Sequence, residues 1–161
     1  MLVDQRDLEL QHAAEQVLFA YQRLVDAKDL DGLARLVTDD VLLERRGVEH
    51  LGREPFLDLY RRFASSDVQV ALHTAGNVEV REIGTDADDV RLRVDSAFLA
   101  LTTHATGEAR LMWGRYRDDV VHRDGRWALA AKRISLVRTA VVAPDALVSP
   151  DADSFGPLTH T

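Results

Sequence analysis

The sequence contains no cysteine among its 161 residues. This absence excludes disulfide bonds, cysteine nucleophiles, iron–sulfur clusters and zinc sites built on thiolates. Three common functional motifs are also missing: a glycine-rich phosphate loop, a His-Glu-x-x-His zinc helix and a Gly-x-Ser-x-Gly elbow. These absences exclude most nucleotide-binding, zinc-protease and serine-hydrolase functions, and we predict a protein that uses no metal and no cofactor.

Long hydrophobic runs and an excess of positive charge are absent as well. The longest uninterrupted apolar runs have five residues, as in Ala97–Leu101, and so cannot span a bilayer. The formal net charge is −7, which disfavours nucleic acid and anionic membranes as partners. Because the charged N-terminal residues also lack the apolar stretch of a signal peptide, we expect a cytoplasmic protein.

Apolar residues recur at helical spacing in the first part of the chain. They mark residues 5–28, residues 30–37 and a segment from Pro55 to about Ala64, which predicts three helices. Short strand candidates lie at residues 41–44 and 48–51. All three helices precede the long strands that the rest of the sequence predicts.

The pattern then changes to the alternation of polar and apolar residues that is typical of strands. Two long alternating runs meet at Asp124-Gly125, a pair favoured in tight hairpin turns because both positions require positive φ. Earlier runs from about Val68 and Val90 predict two more long strands. We therefore predict an α+β fold, in which three N-terminal helices pack on a strongly curved, mixed but mostly antiparallel sheet that encloses a pocket.

One domain is predicted to span residues 1–142, followed by an irregular C-terminal arm at residues 143–161. The face of the sheet turned away from the helices is also partly apolar, with Trp113, Trp127 and Leu129 to be covered. Because monomeric proteins rarely expose large apolar patches, we predict a homodimer or homotrimer formed through that face.

Asp26 and His73 could form a proton-transfer pair. Asp26 falls at the predicted end of the first helix, where the helix dipole does not favour a carboxylate, and His73 lies on the first long strand. If the two meet inside the pocket, the aspartate would fix the tautomer of the imidazole and raise the basicity of its other nitrogen. Such a pair suits proton abstraction from carbon. The alternatives are a solvated loop aspartate and an ordinary core or surface histidine.

Five more residues are candidates for contacting a substrate: Tyr21, Asn77, Phe98, Trp113 and Tyr116. The two tyrosines could donate hydrogen bonds to a substrate oxygen, although a tyrosine in a helical stripe usually belongs to the core. At period two, Asn77 shares a face with His73 unless Gly76 introduces a bulge. The other histidines show no metal-ligand spacing and are expected on the surface: His12, His50, His104, His122 and His160.

Several motifs occur in a recognisable order: Val25–Leu33, Thr38–Val41, Gly52–Phe56, His73-x-x-x-Asn77, Gly114–Asp118 and Asp124-Gly-Arg-Trp127. As an ordered set they resemble the SnoaL-like branch of the nuclear transport factor 2-like superfamily, across residues 7–142. This resemblance implies an α+β cone with an internal pocket. Hexachlorocyclohexane dehydrochlorinase, scytalone dehydratase and bile-acid dehydratase use an aspartate at the first helix end and a histidine on the strand. Asp26 and His73 match those two positions.

The match to scytalone dehydratase is incomplete. Val25 stands where that enzyme has a catalytic tyrosine, and no histidine occurs near Ala100, where that enzyme has a second histidine.

The second half of the chain also resembles β subunits of aromatic-ring-hydroxylating dioxygenases, for example in Ser96–Leu99 and Lys132–Leu136. Those subunits are usually structural partners of an iron-bearing α subunit. The segment between Val41 and His73 is shorter here than in typical β subunits.

Three functions follow from the residues and the resemblance together. The first is a cofactor-independent lyase or isomerase, in which His73 and Asp26 move a proton on a hydrophobic polyketide, steroid or aromatic molecule by dehydration, elimination, isomerisation or cyclisation. The second is a non-catalytic β-type subunit with an α-subunit partner. The third is a cone that binds a ligand without chemistry.

Overall fold

The computed structural model describes residues 4–86 and 89–147. Its three helices and six strands are, in chain order, α1 (Gln5–Asp26), α2 (Leu30–Leu36), β1 (Val37–Arg45), β2 (Val48–Leu51), α3 (Arg53–Ala64), β3 (Val68–Asp86), β4 (Asp89–His104), β5 (Ala109–Arg123) and β6 (Arg126–Val142). A short 3₁₀ turn at Pro144–Ala146 follows β6. Within the described residues, no helix has the length and apolar character needed to cross a membrane.

Side-chain caps define where the first two helices begin. Asp4 accepts a hydrogen bond from the backbone N–H of Arg6, and Asp29 accepts one from Gly32 at 2.8 Å. Each such cap typically contributes about 1 kcal/mol, because it satisfies a backbone donor that has no partner inside the helix. The capping aspartate before α2 therefore sets the position of the α1–α2 turn, and with it the C-terminal end of α1.

The six strands form one sheet in the order β2-β1-β6-β5-β4-β3. Neighbouring strands are antiparallel except β1 and β6, which are parallel. The helices pack against one face and share the core with it, where the largest fully buried apolar side chains include Leu18, Leu33, Leu43, Phe56, Leu92 and Leu129. The predicted α+β fold, with three helices on a mixed and mostly antiparallel sheet, is confirmed.

Two local predictions differ from the structure. Val37 was predicted at the end of the second helix but begins β1, because it pairs with Leu129 of β6 and is fully buried there. Leu129 was predicted on the outward face, but it lies in the core, and Trp127 packs against the core as well. Of Trp113, Trp127 and Leu129, only Trp113 is exposed, at 40%.

Breaks in strand register bend the long strands. The β3–β4 register shifts between Gly76 and Glu79, and the β5–β6 register shifts between Trp113 and Gly114. An extra residue in one strand increases local twist and bends it. These bulges give the sheet its curvature over the helices.

The predicted arm at residues 143–161 begins with the 3₁₀ turn, but residues 148–161 lie outside the described residues.

Candidate active site

A cavity of about 120 Å³ lies between the sheet and helices α1 and α3. Most of its lining is apolar, from side chains such as Val25, Phe63, Phe98 and Met112. Its polar lining residues are Tyr21, Arg45, Tyr60, His73, Thr102 and Tyr116. A mainly apolar cavity with a few convergent polar groups is the usual form of a small-molecule site.

Asp26 and His73 are in direct contact at the edge of this cavity. Asp26 Oδ1 lies 2.5 Å from His73 Nδ1, and Oδ2 accepts the backbone N–H of His73 at 2.9 Å. Both side chains are mostly buried, with 12% of His73 and 21% of Asp26 exposed. Because an ionised carboxylate only accepts, Nδ1 carries the proton, and Nε2 keeps its lone pair for another partner.

The two residues are 47 positions apart, and packing brings them together. Asp26 is the last residue of α1, and this helix packs along β3, which carries His73. The carboxylate would be disfavoured at this helix end by the helix dipole. Its two hydrogen bonds to a single strand residue offset that cost and fix both the strand backbone and the imidazole ring.

Three tyrosines converge at the cavity. The hydroxyls of Tyr21 and Tyr60 are 2.8 Å apart, and the rings of Tyr21 and Tyr116 meet edge to face with centroids 6.0 Å apart. Burial raises the pKa of all three hydroxyls, and Tyr60, Asp118 and, to a smaller extent, Asp26 further raise the pKa of Tyr116. The three phenols are therefore neutral at ordinary pH and can donate hydrogen bonds.

A buried ion pair lies behind the tyrosines. Lys132 Nζ donates to Asp118 Oδ2 at 2.8 Å, and both side chains are almost fully buried. The ammonium lies 3.3 Å from the ring centroid of Tyr116 and 4.1 Å from that of Tyr21, so cation–π contacts add to the pairing. Burial lowers the pKa of Lys132 to about 8, against the opposing effect of Asp118, and raises the pKa of Asp118.

The predicted surface position is wrong for His104. This residue is buried, its Nδ1 lies 2.9 Å from Asp67 Oδ1, and its Nε2 lies 3.1 Å from Thr102 Oγ1. Thr102 in turn lines the cavity. His12 is exposed, His50 and His122 are partly exposed, and His160 lies outside the described residues.

The predicted substrate contacts fall into two groups. Tyr21, Phe98 and Tyr116 line the cavity, and Phe98 stacks on Tyr116 with centroids 4.2 Å apart. Trp113 lies on the outward face of the sheet. Asn77 is exposed in the β3 bulge with a φ of 51°, so it does not share the face of His73. The bulge after Gly76 turns the Asn77 side chain away.

Sequence reasoning missed Tyr60, the Lys132–Asp118 pair and the Thr102–His104 contact. The alternation of β4 held a usable signal, since Thr102 and His104 continue the even-numbered inward positions of Phe98 and Ala100. The buried pair carried no such signal, because it depends on β5–β6 register. Among the described residues, no three histidine, aspartate or glutamate side chains are grouped as a metal site.

Residues 6–133 match the model of the SnoaL-like domain family. Similar structures include a candidate scytalone dehydratase from Novosphingobium aromaticivorans, with 19% identity, a TM-score of 0.74, and coverage of 89% of this chain and 97% of that chain. Another is hexachlorocyclohexane dehydrochlorinase LinA-type3 from Novosphingobium barchaimii, with 21% identity, a TM-score of 0.73, and coverage of 92% and 100%.

A third similar structure is the β subunit of a candidate aromatic-ring-hydroxylating dioxygenase from Novosphingobium aromaticivorans. Its identity is 18% and its TM-score 0.64, with coverage of 82% of this chain and 92% of that chain. The sequence has no match among curated proteins. At these identities the likeness to solved structures is one of fold, which hosts both small enzymes and assembly subunits, so function has to be argued from the site.

Proposed function

This chain belongs to the SnoaL-like family, and we propose that it is a cofactor-independent enzyme that transfers a proton on a hydrophobic small molecule. His73 is the base in this proposal. Asp26 orients its ring and stabilises the imidazolium that forms. The reaction is a dehydration, another elimination, an isomerisation or a cyclisation of a polyketide, steroid or aromatic compound, since each of these can begin with removal of a proton from carbon.

The observation that carries the proposal is the hydrogen bond between Asp26 Oδ1 and His73 Nδ1 beside an apolar cavity. The bond leaves Nε2 as the basic atom of His73, and this residue lines the cavity. Apolar walls exclude water, which strengthens the electrostatic attraction between Asp26 and the imidazolium. The pair alone can remove the proton, because the step requires neither a metal nor a covalent intermediate.

Removal of a proton from carbon leaves negative charge on the substrate, and the tyrosines can stabilise it. When Tyr21 and Tyr60 share one hydrogen bond at 2.8 Å, one of the two hydroxyl protons stays free to bond elsewhere. A neutral phenol donor aimed at a developing oxyanion stabilises the transition state more than the ground state. We therefore propose that Tyr21, Tyr60 and Tyr116 bind a carbonyl or enolate oxygen of the substrate.

The exchange of carbon-bound hydrogen with solvent deuterium tests the base directly. β-Tetralone in deuterated buffer serves as the probe, because its activated C–H bonds exchange measurably by NMR. We expect the wild type to accelerate exchange, and His73→Ala to lower the rate by roughly 10²–10⁴-fold, the usual contribution of a general base. Asp26→Asn should also lower it, because a neutral amide does not stabilise an imidazolium.

His12→Ala is the matched control, since His12 is exposed on α1 and outside the cavity. It should exchange β-tetralone at the wild-type rate. Equal exchange rates for the wild type and His73→Ala would refute the proposal. That result would favour one of the two alternatives, a ligand-binding cone without chemistry or a β-type subunit. The β-type subunit is supported by the fold likeness to a dioxygenase β subunit. Co-purification of an iron-bearing partner would separate these two.

We also propose that the outward face of the sheet joins two or three copies of this chain. Leu72, Leu99 and Trp113 lie on the neighbouring strands β3, β4 and β5, and they are 56%, 43% and 40% exposed. Leu99 and Trp113 are direct cross-strand partners. A contiguous apolar patch of this kind is costly on a monomer, and homo-oligomers with closed symmetry are the commonest way to cover one.

A further inference from the structure

A second histidine–carboxylate pair reaches the cavity through a hydroxyl group. Asp67 Oδ1 lies 2.9 Å from His104 Nδ1, and His104 Nε2 lies 3.1 Å from Thr102 Oγ1. Thr102 and His104 are both buried, and Thr102 lines the cavity. The three residues therefore form a continuous carboxylate–imidazole–hydroxyl chain that ends at the cavity wall.

Thr102 lies beside the proposed base. On the paired strands β3 and β4, His73 is opposite Ala100, and Thr102 is opposite Ala71. Thr102 is thus the diagonal neighbour of His73 on the inward face, a relation that separates two residues by about 7–8 Å. This spacing allows one small ligand to contact the His73 ring and the Thr102 hydroxyl at the same time.

The turn between β4 and β5 does not require these side-chain bonds. The turn is closed by backbone bonds, in which His104 donates its N–H to Glu108 and Ala105 donates its N–H to the Asp67 carbonyl, each at 2.9 Å. The imidazole ring and the Asp67 carboxylate are additional to those bonds. Their arrangement has a chemical consequence for Thr102, because it determines which partner the hydroxyl proton points to.

The protonation of His104 sets the direction of the Thr102 hydroxyl. The hydrogen bond from His104 lowers the pKa of Asp67, with a smaller contribution from Arg110, and this favours the ionised carboxylate, which accepts from Nδ1. When Nε2 is also protonated, it donates to Thr102, and the hydroxyl proton is free to point into the cavity. The other charged groups nearby are Glu108, paired with Arg110, and Lys28, which donates to the Val68 carbonyl.

We propose that Thr102 is a second catalytic residue, which protonates a departing hydroxyl group, and that the reaction is therefore the elimination of water from a β-hydroxy carbonyl compound. This inference rests on the proposed function of His73. His73 Nε2 takes the proton from carbon, the electron pair forms the C=C bond, and the C–O bond breaks. The departing oxygen takes the Thr102 proton, Thr102 takes the Nε2 proton of a His104 ring that starts doubly protonated, and water leaves. Solvent then restores both histidines.

The comparison of two leaving groups on one carbon skeleton tests this role. The aldol of benzaldehyde and acetone loses water to give benzalacetone, and its acetate ester loses acetate to give the same absorbing product. Hydroxide needs a proton to leave, but acetate does not. We expect Thr102→Val to slow loss of water by roughly 10²-fold, the lower range for a general acid, and to leave loss of acetate close to the wild-type rate.

Thr102→Ser is the matched control, because it keeps the hydroxyl and should retain most of the dehydration rate. Asp67 is a positioning residue, exposed over half of its surface, and Asp67→Asn should also slow loss of water selectively. A merely structural role would slow both reactions together. Equal effects of Thr102→Val on both leaving groups, or no effect on either, would overturn the proposal.

A binding measurement decides the role of Thr102 independently of turnover. Indanol and indane are titrated against the protein by NMR. The wild type and Thr102→Ser should bind indanol about fivefold more tightly than Thr102→Val does, the size expected for one hydrogen bond. Indane should bind all three equally. Unchanged indanol affinity in Thr102→Val would contradict the assignment. Failure of β-tetralone exchange with this difference intact would refute the proposed function of His73 and the elimination that rests on it, and would leave Thr102 as a hydrogen-bonding residue of the cavity.

Discussion

We expect Lys132→Met to lower the free energy of unfolding by about 3–5 kcal/mol. Methionine keeps the length of the lysine side chain but leaves Asp118 without its partner. Asp118 Oδ2 would lose its 2.8 Å bond to Lys132, and Oδ1 already has no hydrogen-bond partner in the described structure. An unpaired carboxylate buried to this degree is far costlier than a broken surface ion pair, which contributes about 0–1 kcal/mol.

The same pair makes stability depend on pH in a definite direction. Burial lowers the pKa of Lys132 from 10.5 to about 8 in the folded protein. Between those values the unfolded chain binds more protons than the folded protein, so the free energy of unfolding rises with pH. The full shift corresponds to roughly 3 kcal/mol. Above about pH 10 the trend reverses, because the tyrosines ionise in the unfolded chain first.

Urea unfolding followed by the fluorescence of Trp113 and Trp127 measures both effects. The wild type should gain stability between about pH 8 and about pH 9.5, and Lys132→Met should lack this gain. The double variant Lys132→Met/Asp118→Leu should be more stable than the sum of the single losses predicts, because it leaves no buried charge. A loss below about 1 kcal/mol in Lys132→Met, the range of an exposed pair, would refute the reasoning.

Two further predictions concern the sheet. Gly114→Ala should destabilise the protein by about 1–3 kcal/mol, because its Cβ would lie 2.1 Å from the Ser135 carbonyl oxygen and 2.8 Å from Phe98 Cε1. Gly76→Ala is the control in the same urea assay, since a Cβ at Gly76 would meet no atom within 4 Å. Equal stabilities of the two variants would count against this packing. Trp113→Arg should convert the oligomer to a monomer in light scattering after gel filtration, with Leu8→Arg on α1 as the control. A monomeric wild type would exclude the oligomer proposal.

Local patterns in the sequence were sufficient for most of the secondary structure, although not for the start of β1 at Val37. The hairpin at Asp124-Gly125 was predictable because tight turns demand positive φ, and the two residues adopt φ values of 53° and 72°. Helical spacing predicted α1 and α3 to within a few residues. These features depend on interactions between near neighbours in the chain, which act in the same way whatever the rest of the molecule does.

Asp26 and His73 could be identified as candidates, but their contact could not be derived from spacing. Forty-seven positions separate them, and the contact depends on how α1 lies along β3. Strand register had the same effect on Asn77 and Trp113, because a shift of one residue moves a side chain to the other face of a sheet. The bulge after Gly76 turned Asn77 outward in this way. His104 differs, since it follows the regular alternation of β4.

The sequence by itself therefore determined the elements, the α+β class and the residue types available for proton transfer. The tertiary structure decided which of those residues share a cavity, which polar groups are buried together, and which apolar residues stay exposed. The physical reason is the range of the interactions. Helix stripes and turns are encoded by neighbours in the chain, whereas the cavity is formed by register and packing between strands and helices that are distant in sequence.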